Sequence, residues 1–328
     1  MSVNLRSISF NSVLALGLVL RLGSRRTSDH RDGQALIALR WLYNWSMGLG
    51  LVLLSVSGHA DFDACQDSFY AGTAPDYLNT KITKNTYPLC FDGFATMYSG
   101  VSRTPLWSAE YLTRRRLTQA DTIPREDSFH EESRLPASVR AELKDYSNSG
   151  YDRGHIAPNA DMANVSQQYD SFSLANIAPQ SPRNNRYVWR NLESATRYLT
   201  KQYGEVYTVT GVAFTSKRLK KIGSGVLVPS HFYKAVYIPA IGQAGVYYAP
   251  NDESERIEII SVDELALRTG VDVMPAIAAT AKSEAFELPM KAGKTTADME
   301  QTESAQEQPW WLLLIMEIIY WLIDQLRQ

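Results

Sequence analysis

The chain has 328 residues, is 45% hydrophobic and carries a formal net charge of −2. That length and apolar content suffice for one large domain or two small ones. The near-neutral balance excludes a global basic field for a polyanion partner, which leaves any such contact to local charge.

Residues 1–60 read as an apolar leader. Val13–Leu22 precedes Arg25 and Arg26, and a second apolar run, Met47–Ser57, ends in Gly58-His59-Ala60 before the acidic Asp61-Phe62-Asp63. Small residues at Gly58 and Ala60 suit a signal-peptidase site with cleavage after Ala60. Two such segments imply either a secretory signal behind an extended start or an uncleaved anchor; the signal is the expectation, and with it export to the periplasm or medium. Cys65 and Cys90 follow, without the Cys-x-x-Cys spacing of a zinc site. In an exported chain they would pair as a disulfide, and in the cytosol they would be unrelated thiols.

Residues 61–282 form the expected domain. Phe94–Ser99 and Pro105–Tyr111 read as strands, as do Glu205–Thr215, Val226–Pro229, His231–Ile238 and Gly245–Ala249, with β-branched and aromatic residues between Gly, Pro and Ser breaks. Arg186–Gln202 has helical spacing, and Val262–Arg268 and Val271–Ala281 are short helical candidates. Strands on both sides of helices without βαβ alternation argue for an α+β fold. Residues 283–308, poor in large apolar side chains, read as a disordered linker. Beyond it, 309–328 reads as an apolar C-terminal helix. Trp310–Ile323 would span only about 21 Å at 1.5 Å per residue, short of the roughly 30 Å hydrocarbon core. Its tryptophans and central Glu317 fit a membrane surface or a partner helix better than a span.

The chemistry concentrates in two stretches. Residues 151–162 read Tyr-Asp-Arg-Gly-His-Ile-Ala-Pro-Asn-Ala-Asp-Met, and 184–193 read Asn-Asn-Arg-Tyr-Val-Trp-Arg-Asn-Leu-Glu. A lone histidine is more often structural than catalytic, but His155 has Arg153 as a fixed charge and Gly154 to admit a close approach. An imidazole near its ordinary pKa takes a proton from water at neutral pH, while a guanidinium offsets charge on a phosphoryl group. Asn185 reads either as a helix N-cap, in competition with Asn184, or as an oxygen ligand for a hard cation. Glu193, two turns on, would hold metal-bound water or pair with Arg190 or Arg197. Basic residues collect at Arg183, Arg186, Arg190 and Arg197, and six more lie between Lys201 and Lys234 against the single acid Glu205. Such a face suits nucleic acid or is merely solvated.

Together these residues resemble the DNA/RNA non-specific endonuclease family, the sugar-non-specific ββα-metal nucleases. The Asp-Arg-Gly-His box stands at Asp152–His155 with Ile-Ala-Pro after it. Asn185, Trp189, Leu192 and Glu193 match the second motif, and Arg125-Glu126-Asp127-Ser128-Phe129 matches an upstream arginine segment. The similarity runs from about Asp92 to Ala281. It implies a ββα-metal nuclease fold with a mainly antiparallel central sheet flanked by helices. It also implies Mg²⁺-dependent hydrolysis of DNA and RNA without sequence preference, with Mn²⁺ as a substitute ion. His155 would be the general base, Asn185 the one direct metal ligand, and Glu193 the orienter of metal-bound water. Arg153, Arg125 and Arg197 would hold phosphates, and Asp152 is as readily structural as catalytic. A phosphodiesterase for a non-nucleic substrate would use the same base and metal, and an idle nucleic-acid-binding module would have lost part of the set.

Overall fold

A computed structural model of the chain describes residues 62–293. The leader, the C-terminal helix and all but the start of the linker lie outside those residues. Two 3₁₀ turns, Asp63–Ser68 and Tyr70–Gly72, precede β1 (Asp76–Tyr77), β2 (Thr86–Phe91), β3 (Phe94–Ser99) and β4 (Thr104–Thr113). Helices α1 (Arg114–Ala120) and α2 (Leu143–Tyr146) lead to β5 (Asp152–His155), α3 (Val165–Ser171) and β6 (Ile177–Gln180). A π-helical turn, Asn184–Trp189, runs directly into α4 (Arg190–Tyr203). Next come β7 (Glu205–Ala213), β8 (Lys221–Ile222), β9 (Val226–Leu227), β10 (His231–Ile238), β11 (Gln243–Pro250) and β12 (Glu258–Ile260). The order closes with α5 (Val262–Thr269), β13 (Val271–Asp272) and α6 (Ala279–Ser283).

Seven strands form one antiparallel sheet in the order β12-β11-β10-β7-β4-β3-β2. This is the expected α+β architecture. Both faces of the sheet are covered, which is why β3 is buried at every position and its sequence lacks a polar side. On one face Trp107, Ala109, Val209, Tyr233 and Ala235 pack with Phe62, Phe69, Val262 and Leu265. On the other, Leu112, Val206, Phe232, Val236 and Ile238 meet Val188, Leu192 and Leu199 of the long helix. A disulfide joins Cys65 to Cys90 and ties the first 3₁₀ turn to β2.

Two boundaries differ from expectation. Val271–Ala281 is not one helix: β13 pairs with β1 (Tyr77↔Val271), and α6 begins only at Ala279. Pro275 lies between them, and proline cannot donate to a helical ladder. Nor does the linker begin at 283. Leu288 is fully buried, Phe286 N donates to Ala244 O at 2.8 Å, and Tyr247 Oη donates to Pro289 O at 2.6 Å. Phe286, Leu288 and Met290 alternate with Glu287 and Pro289, so a short segment docks on the sheet with few large apolar side chains.

Candidate active site

β5 and β6 pair as a two-stranded ribbon with Asp152 opposite Gln180, Arg153 opposite Pro179 and His155 opposite Ile177. Gly154 is required by packing rather than by a ligand. A Cβ there would lie 2.1 Å from Gln180 Oε1. Because successive strand residues point to opposite sides, Arg153 and His155 share one side of the ribbon and Asp152 takes the other.

On the first side an aromatic wall gathers the cations around the histidine. The Arg153 guanidinium lies over the Phe129 ring at 4.4 Å, and the His155 ring meets Phe129 at 5.4 Å and Phe172 edge-on at 4.8 Å. Arg125 covers Phe172 at 5.4 Å and is steadied by Asp127 (2.7 Å) and Asn159 (3.1 Å). Ile156 N and Ala157 N donate to the backbone and side-chain oxygens of buried Asn176, which fixes the chain just beyond His155. The His155 ring is half-buried, and its Nε2 is enclosed and without a hydrogen-bond partner. Burial, with Arg125 adding to it, pushes the imidazole down to about 3. The expectation of an ordinary imidazole pKa is therefore corrected: the ring is neutral at every physiological pH. An anion taken by Arg125 would offset that guanidinium and raise the basicity of the ring.

Asp152, on the second side, reaches the helix. Asn185 Nδ2 donates to its Oδ2 at 3.0 Å, and Arg186 donates to both oxygens, at 2.8 Å and 2.7 Å. Burial pushes the Asp152 carboxyl up, but the hydrogen bonds from Arg186 and Asn185 outweigh it and hold the group below the usual range. The Asn185 NH₂ is thus committed to Asp152, and among the described residues its Oδ1 accepts no hydrogen bond. The N-cap reading fails for both asparagines. Asn185 lies inside the π-helical turn, and Asn184 is buried, bonded to Gln180 at 2.6 Å and to Pro250 O at 3.0 Å. Such turns occur often at functional positions.

A third group lies along α4. Arg197 does not pair with Glu193; it donates to buried Asp161 at 2.9 Å. Arg197 is thus a weaker candidate for a free phosphate clamp than Arg125 or Arg153. Among the described residues Glu193 has no ion pair, and burial pushes its carboxyl up to about 7 against the pull of Arg197 and Lys234. The Lys234 ammonium is fully buried and has no hydrogen-bond partner. It stands opposite Thr210, which stands opposite Ser108, in turn opposite Thr96. A polar row thus crosses the sheet beneath the helix. Glu110, buried beside Arg116, is pushed up by burial and by Asp161. The motif reading missed Asp161, Glu110 and Lys234. For Glu110 and Lys234 the signal was a charge in the middle of an apolar strand, as in His-Phe-Tyr-Lys-Ala-Val-Tyr-Ile; Asp161, in a 3₁₀ turn, had none.

No group of three His, Cys, Asp or Glu suited to a metal occurs among the described residues. The donor set fits a hard cation that keeps most of its waters and takes few protein oxygens, and it does not fit zinc.

A short antiparallel ribbon that carries the histidine, hydrogen-bonded to the turn that opens a long helix and set beside a large antiparallel sheet, is a ββα-metal nuclease core. The description "DNA/RNA non-specific endonuclease" belongs to the family model that matches residues 76–279. The chain belongs to that family and is a phosphodiester hydrolase. It is 33% identical over 220 residues to the mitochondrial endonuclease G of Homo sapiens, covering 61% of this chain and 71% of the relative. A nuclease of Nostoc sp. is 35% identical over 212 residues, covering 60% and 76%. Among solved structures, a chain of the EndoG/EndoGI complex superposes with a TM-score of 0.53 at 26% identity, covering 61% of this chain and 92% of that one.

Proposed function

We propose that the chain is a Mg²⁺-dependent endonuclease that cuts both DNA and RNA without sequence preference. The observation that carries this reading is the Asp152–Asn185 hydrogen bond, which ties the π-helical turn that bears Asn185 to the strand that bears His155. Asn185 would hold the ion, and Mg²⁺, when bound, offsets charge on the phosphate and on the departing 3′ oxygen. His155, held in its base form, takes a proton from the attacking water. Binding of the anionic phosphate to Arg125 and Arg153 raises the basicity of the imidazole at the moment it is needed. Glu193 orients water at the site, and Arg197, anchored on Asp161, supplies fixed positive charge. Contacts to phosphate carry no base information, which explains indifference to sequence and sugar.

Digestion of plasmid and RNA with and without EDTA tests the reading, with Asn185→Ala as the second arm. The expected outcome is activity on both substrates, abolished by EDTA, and a variant partly rescued by excess Mg²⁺. Full activity of Asn185→Ala at low Mg²⁺ would sink the ligand assignment, and no cleavage of either polymer would sink the substrate. The Cys65–Cys90 bond supports export, as does the leader signal. Attachment through 310–323 to a membrane surface or partner helix belongs to the same reading. A truncation after Gly293, which spares the docked Phe286–Met290 segment, tests it by membrane co-sedimentation.

A further inference from the structure

Lys217, Arg218, Lys220 and Lys221 fall within five positions, from the segment that joins β7 to β8 to the first residue of β8. All four are exposed, and among the described residues none has an ion pair or a side-chain hydrogen bond. Other arginines of the molecule are committed: Arg134 to Glu132, Arg183 to Glu255, Arg186 to Asp152, Arg268 to Glu258. Adjacent like charges repel one another and oppose the compact state, so the fold itself gives no reason for this run.

Its root is held against the site. Val228 N donates to Lys220 O at 2.9 Å, and Ile222, Val226 and Val228 pack on Tyr146, Leu174 and Ile177, the last of which faces His155 across the ribbon. Phe129, the ring under Arg153, borders the same cluster. The hairpin turn is pinned by Ser224 N donating to Asp145 Oδ1 (2.7 Å) and by Arg103 donating to Ser224 Oγ (2.7 Å). Asn251 Nδ2 closes the connection, donating to Pro229 O (2.9 Å) and to Pro179 O (3.0 Å), and Pro179 stands opposite Arg153. The basic run is therefore carried on a braced hairpin whose base adjoins the strand of the catalytic box.

We infer that residues 217–221 form a phosphate-tracking loop that holds the nucleic-acid backbone to one side of the cleaved bond. This rests on the nucleic-acid reading above and adds to it a second binding region, distinct from the residues that carry the chemistry. Lysine and arginine side chains at such a loop grip successive phosphates as point charges and release counterions. They contribute affinity and register, and no base preference.

The test compares the wild-type protein with a variant carrying Lys217→Ser, Arg218→Ser, Lys220→Ser and Lys221→Ser together. Binding is measured in EDTA to a labelled duplex several helical turns long and to a trinucleotide, across a salt series. For the long duplex the variant is expected to bind at least about tenfold more weakly near physiological salt. The slope of log K against log salt should flatten by about 0.9 for each phosphate that the variant no longer neutralises. The deficit should be confined to ligands long enough to reach the loop. An unchanged slope with the long duplex makes the run a solvated surface and overturns the inference. A deficit of equal size with the trinucleotide overturns it too, because the loop would then act through the fold of the ribbon. A wild-type protein that binds neither ligand overturns the nuclease reading itself, and that result is visible before the variant is compared.

Discussion

The two faces of the central sheet are built from the same strands, yet they are chemically unlike. Toward α5, β4, β7 and β10 present Trp107, Ala109, Val209, Tyr233 and Ala235 to the rings of Phe62 and Phe69. Toward α4, alternate positions of those strands present Ser108, Glu110, Thr208, Thr210 and Lys234, all of them fully buried. A buried polar group without a partner costs free energy, and Glu110 Oε2, Thr208 Oγ1, Thr210 Oγ1 and Lys234 Nζ are four such atoms on one face. The apolar face thus supplies stability, and the polar face carries the electrostatics beneath Glu193 and Arg197. Local rules are broken where the chemistry is, and the other layer compensates.

His155→Ala tests the reactive side most sharply. Turnover should fall by about 10²–10⁴-fold, with binding of substrate largely kept; unchanged turnover of the purified variant would remove His155 as the base. The histidine also carries a pH signature. Its folded pKa of about 3 lies below its ordinary 6.5, so between those values the unfolded chain binds more protons. Stability is therefore lost as pH falls through that window, and the variant should lose less than the wild type in acid melts.

Trp107→Ala strikes the opposite face. The side chain is fully buried, donates to Tyr77 Oη at 3.0 Å and packs on Phe62 and Phe69. A loss of about 3–5 kcal/mol is expected, with the surviving folded fraction cutting nucleic acid at the normal rate. If specific activity per folded molecule fell with stability, the two faces would not be separable.

Replacing Cys65 and Cys90 by serine opens a loop of sequence separation 25 and should cost roughly 3 kcal/mol on the chain-entropy model. Denaturant melts measure the loss, and kcat should stay as it is, because both cysteines belong to the stabilising side. The smallest effect is expected from Glu193→Gln in EDTA. The folded carboxyl holds its proton up to about 7 against an ordinary 4.5, so stability falls as pH rises through that interval. The variant escapes the penalty. The full shift corresponds to roughly 3 kcal/mol at about pH 8, which water at the half-buried carboxyl screens to a gain on the order of 1 kcal/mol, with nothing gained at about pH 4; equal gains at both would mean that Glu193 is not buried as a charge.

Much of this was legible in residues alone. The motif residues Asp152–His155 and Asn185–Glu193 announced the reaction class, because that chemistry tolerates few substitutions at fixed spacing. The long strands announced an antiparallel α+β body through their β-branched and aromatic content. Where reading failed, a distant partner decided. Nothing local in 271–281 says that Val271 pairs with Tyr77, nor does the polar stretch after 283 declare that Leu288 is buried in the core. The cap reading of either asparagine could not be discarded before Asp152, Gln180 and Pro250 were seen beside them.

The sequence by itself determined the kinds of groups available and their order: a histidine, several fixed cations, an amide, and a sheet to carry them. Only the tertiary structure decided their states. His155 is neutral because Phe129, Phe172 and Arg125 surround it, and Glu193 is a weak acid because burial outweighs the pull of Arg197 and Lys234. Asn185 keeps its Oδ1 free of protein donors, among the described residues, because its Nδ2 is taken by Asp152. Solvation and electrostatics depend on what lies within a few ångströms, and residues far apart in the chain supply that environment.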